Sequence, residues 1–452
     1  MTSSNVPHVA IIPNVGMGHL TPFLRLASML LCRNCKVTLI TAKPIPSIAE
    51  ANHISFFRSK FPEIIHLEYQ LLPPEPDSKA DGFHLLYNAV RRSTHLVHPL
   101  LRSAAFSTVV CDFMTASSIP RFVAAELGVP CYVFHTTSPR FLSFLLHLPN
   151  ILSNPKKVDK SSSLLEIPGL VPFNMSSIPA PFLMPGHFIP EDVKVIIKEF
   201  PEATGILMNS FDWFDPETIS ALNSGRVSST LPPVHLIGPM QGYELEEDRT
   251  ECLAWLDKQP RESVVYVNFG SRTTVSYDQI KELGKGLELS GLRFLWVVKT
   301  SKIDKEDRGE LSDVLGDTFL DMTRDKGLVL RKWVNQEEVL SHPSVGLFLS
   351  HCGWNSVMEA ADKGMPVLAW PQHGDQGMNA EVLEKAGLGK LARSWGFGPE
   401  RLVEGEEIAE KIVEMMDDGN LRRKAMKVKK EAKKTTEPGG SSYTAIMKII
   451  GN

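Results

Sequence analysis

Short apolar runs rich in β-branched residues alternate along this chain with segments whose apolar positions recur at helical spacing. In the first half HVAIIP, KVTLITA, IIHLEYQLL, TVVCDF, PCYVFHTTS and GILMNSF read as strands. Between the first two, Leu20, Phe23, Leu24, Ala27, Leu30 and Leu31 line one helical face, and Pro22 fits that helix's first turn. The run FHLLYNAVRRSTHLVHPLL predicts a second long helix. The pattern then restarts with SVVYVNFGS, RFLWVVKT, LVLRKWV, VGLFLSH, MPVLAWP and LGKLAR, with helices such as YDQIKELGKGLELS between them. Strand–helix alternation of this kind predicts parallel sheets covered on both faces. A chain of 452 residues exceeds one hydrophobic core, so the fold expected is α/β with two Rossmann-like doubly wound domains.

The expected boundaries are an N-terminal domain over 1–238, a linker over 239–252, a C-terminal domain over 253–435, and a helix over 436–452 packing back on the first domain. The junction lies in PPVHLIGPMQGYELEEDRT, where Pro and Gly give way to acidic residues. SKIDKEDRGE and NPKKVDKSSS read as solvated loops. Ligands of open α/β sheets sit beyond the carboxyl ends of the strands, so two such domains facing each other would enclose a cleft. Residues that follow strands therefore carry the functional reading.

Composition narrows the partner. With 43% hydrophobic and 22% charged residues and a net charge of -4, the chain offers no broad attraction to nucleic acid or an anionic bilayer. The start, MTSSNVPHVAIIP, lacks a basic segment followed by an apolar one, and no window approaches about eighteen uninterrupted apolar residues. A cytoplasmic monomer with small-molecule partners and no integral membrane segment is expected. Six cysteines are too sparse for a disulfide framework, and the lone C-x-x-C at Cys32 and Cys35 reads as reduced packing residues.

The stretch WVNQEEVLSHPSVGLFLSHCGWNSVMEAADKGMPVLAWPQHGDQ concentrates polar groups at strand ends. His351 ends a strand, Gly353 permits a tight turn, and a helix starting near Asn355 presents N–H groups without intrahelical acceptors. Such a start attracts anions, and His351, Asn355 and Ser356 add donors around a diphosphate-sized site. Glu359, one turn on, suits the vicinal hydroxyls of a ribose. Trp333 offers a flat face for a base, and Asp375 and Gln376 follow a strand with acceptors and donors for a sugar. Taken alone, Ser356 to Glu359 also fits a capping box, and Trp333 and Trp354 fit a core. His351, Cys352, Glu359 and His373 have no recognised metal-ligand spacing.

In the first half, P-N-V-G-M-G-H places His19 after a glycine-containing strand-to-helix turn, where its imidazole suits a general base or a cap on its own helix. Asp112 ends TVVCD, where it suits either an orienting partner for that imidazole or a turn cap.

The stretch from Trp333 to Gln376 resembles the nucleotide-sugar signature of plant family-one UDP-glycosyltransferases, which runs from W-x-P-Q through H-C-G-W-N-S to a final acidic-Gln pair. GMGHLTPFLRLA and YVNFGS resemble the family's other two landmarks, and the likeness covers nearly the whole chain. It implies a GT-B architecture, UDP-glucose as donor, and no cofactor or metal. It also implies that Trp333 stacks on uracil, the Gln336 backbone pairs with the uracil edge, and Glu359 binds ribose. His351, Asn355, Ser356 and Ser271 would hold the diphosphate, and Trp354, Asp375 and Gln376 the sugar. The final Gln is the family's sign of glucose.

His19 and Asp112 would be the catalytic dyad of a single displacement that turns an α-linked donor into a β-linked product. W-V-N-Q here replaces the usual W-A-P-Q, which removes a fixed φ at Asn335. W-V-N-Q, VVKTSKIDKED, SVMEAADKGMPVLAWPQHGDQ and EIPGL are most like the branch that makes C-glucosides of flavonoid precursors such as phloretin or 2-hydroxyflavanones. An ordinary flavonoid O-glucosyltransferase is the alternative. Acceptor-side candidates are Phe83, Tyr87, Arg91, Phe113, Ser138, Phe182 and Met184. A nicotinamide site would want the final Gly that GMGHLT lacks, and no G-x-S-x-G elbow supports a hydrolase. A sugar-nucleotide binder without catalysis would leave His19 and Asp112 idle.

Overall fold

The computed structural model describes residues 6–73, 82–153, 164–184, 187–243, 251–270, 273, 275–299, 310–332, 334–398 and 400–451, with backbone only at 82–84. Ser271, Trp333, the Phe83 side chain and the loop readings at NPKKVDKSSS and within SKIDKEDRGE fall outside the described residues.

The chain forms two compact units. The first comprises residues 1–174, 180–240 and 435–452, and the second comprises 175–179 and 241–434. In the first, strands β1 (His8–Ile12), β2 (Lys36–Lys43), β3 (Ile65–Gln70), β4 (Thr108–Asp112) and β5 (Cys131–His135) pair in parallel. A small antiparallel pair, β6 (Leu164–Leu165) and β7 (Phe173–Asn174), intervenes before β8 (Gly205–Met208) and β9 (Val234–Leu236) complete the sheet. Its order is β3-β2-β1-β4-β5-β8-β9. The central strands β1, β4 and β5 are buried along their whole length, which explains why they read as continuous apolar runs rather than alternating ones.

The second unit holds β10 (Val264–Asn268), β11 (Arg293–Val297), β12 (Gly327–Leu330), β13 (Val345–Ser350), β14 (Val367–Ala369) and β15 (Gly389–Leu391), in the order β12-β11-β10-β13-β14-β15. Every pair is parallel. Val265, Val267, Leu347 and Leu349 from the central strands share a core with Trp370 and Trp395, whose rings lie 4.7 Å apart. Each sheet has one point where strand order reverses, between β1 and β4 and between β10 and β13. Those are the positions at which doubly wound sheets receive ligands.

Several expectations are corrected. PPVHLIGP is not only a junction, because Val234–Leu236 forms β9 at the edge of the first sheet. The predicted long helix breaks into Gly82–Ser93, a 3-10 turn at Thr94–Val97 and His98–Arg102. Ser93 Oγ donates to Ala89 O and accepts from Leu72 N (2.8 Å), and Pro99 cannot donate back to the preceding turn. Cys32 is exposed rather than packed, although Cys35 is buried as expected. Among the described residues no helix is long and apolar enough to cross a membrane.

Candidate active site

The first cluster grows from the β1–β4 reversal. Ile12 lies beside Cys111 in the paired strands, so the residues that follow each strand emerge together. After β1 the chain turns at Gly16, whose φ of 99° is open to glycine at no steric cost, and begins the helix Met17–Leu31. Gly16 O accepts from His19 N and Leu20 N, and Gly16 N donates to the buried Glu50 carboxylate at 2.8 Å. The glycine therefore caps the helix with its backbone, and His19 is not the cap.

Instead the imidazole reaches across the sheet: His19 Nδ1 lies 2.8 Å from Asp112 Oδ2. The carboxylate is fully buried and the imidazole side chain is 17% exposed. Asp112 Oδ1 accepts from Met114 N at 2.8 Å, so the same carboxylate caps the following turn and orients the ring. Each Asp112 oxygen has its own partner, Oδ2 the His19 ring and Oδ1 the Met114 N–H.

Thr136 Oγ1 stands 3.2 Å from the same His19 nitrogen, a residue the sequence reading passed over although it follows β5 at the same sheet end. Phe113 lies between two imidazoles, its ring 5.9 Å from His19 and 4.5 Å from His135. His135 is fully buried and its pKa falls to about 3, through burial first and the nearby His19 second. It is a neutral neighbour.

The other acceptor-side candidates divide. Tyr87 is buried and its hydroxyl is pushed upward by burial, then by Asp192, with Asp112 contributing, which places it within electrostatic reach of the dyad. Arg91 Nε lies 3.5 Å from Asp192 Oδ1. Ser138, by contrast, is buried with Oγ accepting from Phe141 N, so it starts its own helix. Phe182 packs edge-on against Phe141 and Phe144 at 5.7 and 5.4 Å, as core does, and Met184 is exposed.

The second cluster occupies the β10–β13 reversal, where Asn268 pairs with Ser350. Cys352 adopts a left-handed φ of 66° with its N–H on Ser350 Oγ, and Gly353 then opens the helix Trp354–Lys363 without any side-chain cap. That helix start overturns the capping-box reading, because Ser356 lies inside the helix. The His351 ring is held between two glycines: a Cβ on Gly270 would come within 2.7 Å of it, and one on Gly353 within 2.6 Å of Nε2. Burial, then His373, drives its pKa to about 3, with the Asn268 backbone opposing in part. A neutral imidazole thus stands beside an anion-receptive helix start.

Gln336 opens the helix Gln336–Ser341, and its side chain is the hub of this cluster. Nε2 donates to Glu359 Oε2 at 2.6 Å and Ser356 Oγ at 2.9 Å, while Oε1 accepts from Asn268 Nδ2 at 2.9 Å and Tyr266 OH at 3.2 Å. Asn335, where the signature has Pro, keeps a proline-like φ of -69° and accepts from Glu338 N at 3.4 Å. Backbone shape is retained at the departure.

The sugar-side candidates are less open. The Trp354 indole is buried, and Asp375 Oδ2 accepts from Asn379 Nδ2 at 2.9 Å. Gln376 is 4% exposed, with Oε1 turned back to accept from Gln372 N and His373 N.

Two doubly wound units, one with an imidazole–carboxylate pair at its reversal point and one with a helix start beside a buried neutral imidazole at its own, define a two-domain α/β enzyme with an anion-receptive helix start. Comparison with known proteins agrees. A family model described as UDP-glucoronosyl and UDP-glucosyl transferase matches residues 227–428. UDP-glycosyltransferase 708C1 of Fagopyrum esculentum is 48% identical across 100% of this chain and 96% of its own length. UDP-glycosyltransferase CGT of Oryza sativa subsp. japonica is 42% identical across 98% of this chain and 95% of its own. The crystal structure of LpCGTa in complex with UDP superposes with a TM-score of 0.86 at 40% identity, covering 99% of each chain. The chain belongs to the plant family-one UDP-glycosyltransferases, which have the GT-B architecture and use a UDP-sugar as donor.

Proposed function

We propose that the protein moves glucose from UDP-glucose to a flavonoid-type polyphenol with inversion, forming a β-C-glucoside on a ring that bears three alternating hydroxyls. The observation that carries the reading is the 2.8 Å contact between His19 Nδ1 and Asp112 Oδ2. With Nδ1–H directed at the carboxylate, Nε2 carries the lone pair that accepts a phenolic proton, and Asp112 stabilises the imidazolium that forms.

Removing that proton makes the acceptor ambident, with high electron density on the ring carbons between the hydroxyls. One such carbon attacks the anomeric carbon, the bond from C1 to the diphosphate oxygen breaks, and UDP leaves with the electron pair. The proton on the attacked carbon then passes through solvent to the ring oxygen left as a carbonyl, which restores the aromatic phenol, and the His19 imidazolium releases the phenolic proton to solvent. Charge developing on UDP is met by the neutral His351 and the helix start at residues 353–356. Glu359 serves the ribose, and Asp375 and Gln376 serve the glucose.

Attack through carbon rather than oxygen is supported by relatives whose names carry the letters CGT, read as C-glycosyltransferase. An O-glucosyltransferase would use the same base and donor, because only the atom presented to C1 differs. Incubating the protein with UDP-glucose and phloretin and treating the product with hot acid separates the two: a C-glucoside survives, and an O-glucoside releases glucose. His19→Ala should abolish transfer while leaving UDP binding intact. Full turnover in that variant would remove His19 as the base.

A further inference from the structure

From the polarity of the hydrogen bonds around Gln336, we infer that Asn268 is a positioning residue for the UDP-sugar, setting the Gln336 amide and through it the Glu359 carboxylate. The inference rests on the proposed role of Glu359 at the ribose. The direction of every bond in the chain follows from its two ends. An ionised carboxylate only accepts, so Gln336 must turn its NH₂ toward Glu359 Oε2, 2.6 Å away. Its carbonyl then faces Asn268, which must donate, and Nδ2 lies 2.9 Å from Gln336 Oε1. That leaves Asn268 Oδ1 for a partner that only donates, the backbone N–H of Gly270 at 2.8 Å. Glu359 at one end and Gly270 at the other impose the same orientation on both amides.

Asn is suited here because one short side chain must donate on one side and accept on the other. It also couples two parts of the site. Gly270 packs against the His351 ring so closely that a Cβ there would approach to 2.7 Å, and its φ of 76° is one that L side chains rarely adopt. The loop that seats His351 and the carboxylate proposed to meet a ribose are thereby tied through Asn268, at the end of β10, and Gln336. Tyr266 OH adds a weaker contact, 3.2 Å from Gln336 Oε1, and itself accepts from Asn268 Nδ2 at 2.8 Å.

Asn268→Asp tests this. The carboxylate so introduced would still accept from Gly270 N but would oppose the Gln336 carbonyl, so the amide either rotates and sets its oxygen against Glu359 or stays and faces a second acceptor. UDP affinity measured by calorimetry should fall about 10- to 100-fold, with the KM for UDP-glucose rising in step. At saturating donor, kcat and the acceptor KM should stay within about twofold of wild type, whereas a general loss of folded protein would lower kcat in proportion. Asn268→Ala, which serves neither side, should also weaken UDP, and it carries the test alone if the Asp variant does not fold.

Wild-type UDP affinity in both Asn268 variants overturns the inference. Glu359→Ala separates the two levels: if it weakens UDP while the Asn268 variants do not, only the positioning role fails. If Glu359→Ala leaves UDP binding unchanged, the ribose assignment fails with it.

Discussion

Replacing Asp112 by Asn should cost far more than the loss of one charge, because of what the other carboxylate oxygen already holds. Oδ1 accepts from Met114 N at 2.8 Å, and a backbone N–H only donates. In Asp112→Asn the carbonyl oxygen therefore stays on Met114, and the NH₂ takes the place now 2.8 Å from His19 Nδ1. A donor there requires Nδ1 to accept, which moves the imidazole proton to Nε2, the atom proposed to receive the phenolic proton. The variant also removes the negative charge that faces the imidazolium, worth roughly 4 kcal/mol at about 4 Å and an effective dielectric near 20.

One contact softens the effect. Thr136 Oγ1, 3.2 Å from Nδ1, can accept from Nδ1–H and preserve part of the productive tautomer. The barrier should rise by about 3 to 5 kcal/mol, a loss of roughly a hundred- to several-thousand-fold in kcat. The assay is UDP release at saturating UDP-glucose and phloretin, with calorimetric UDP affinity as the control, since His19 and Asp112 lie in the first unit and the residues proposed to bind UDP in the second. A variant that keeps more than about a tenth of wild-type kcat, or that loses UDP affinity along with turnover, would refute this reasoning.

Three further outcomes are expected. In Gly353→Ala the φ of -56° suits alanine, so the conflict is the new Cβ at 2.6 Å from His351 Nε2. Stability should drop by about 1 to 3 kcal/mol and UDP should bind at least about tenfold more weakly, by thermal unfolding and calorimetry; unchanged affinity would contradict the placement of that ring at the diphosphate. His135 titrates near 3 in the folded chain against an ordinary value of 6.5, so its contribution to stability is complete above about pH 6.5 and lost as pH falls toward 3. Between pH 6.5 and 5 the loss is about 1.6 kcal/mol, and urea unfolding of His135→Phe should show a correspondingly weaker acid dependence than wild type; equal dependence would contradict it. Asn335→Pro, at a φ of -69°, should alter stability by less than about 1 kcal/mol and UDP affinity by less than about twofold, since a weak cap is exchanged for a stiffer backbone. A tenfold loss of affinity would show that the Asn335 side chain does more than cap.

Much of this molecule is legible without coordinates. β1, β4, β10 and β13 announce themselves as short β-branched runs because a strand buried on both faces has no polar positions to interrupt it. The edge strand β9 is less visible: it is three residues long and flanked by prolines, so it carries the composition of a turn. The break after Ser93 is hidden for another reason. One contributor, Pro99, is in view but outweighed by the helical period, and the other is a side-chain bond from Ser93 to Leu72, 21 residues away, which periodicity does not report.

What the residue order determined by itself was the local grammar: which segments become strands and helices, that two doubly wound halves follow one another, and that polar groups gather at strand ends. Those properties depend on spacings of a few residues, which a chain displays directly. Tertiary structure decided the pairings. His19 and Asp112 meet because β1 and β4 are neighbours at a reversal of strand order, and Asn268 joins Gln336 because β10 ends beside the start of another helix. Whether Ser356 caps a helix or receives a bond from Gln336, and whether Gln376 faces outward or back on its own loop, likewise depends on groups distant in sequence and close in space. Hydrogen bonds act over about 3 Å, and only the folded chain brings such groups within that range.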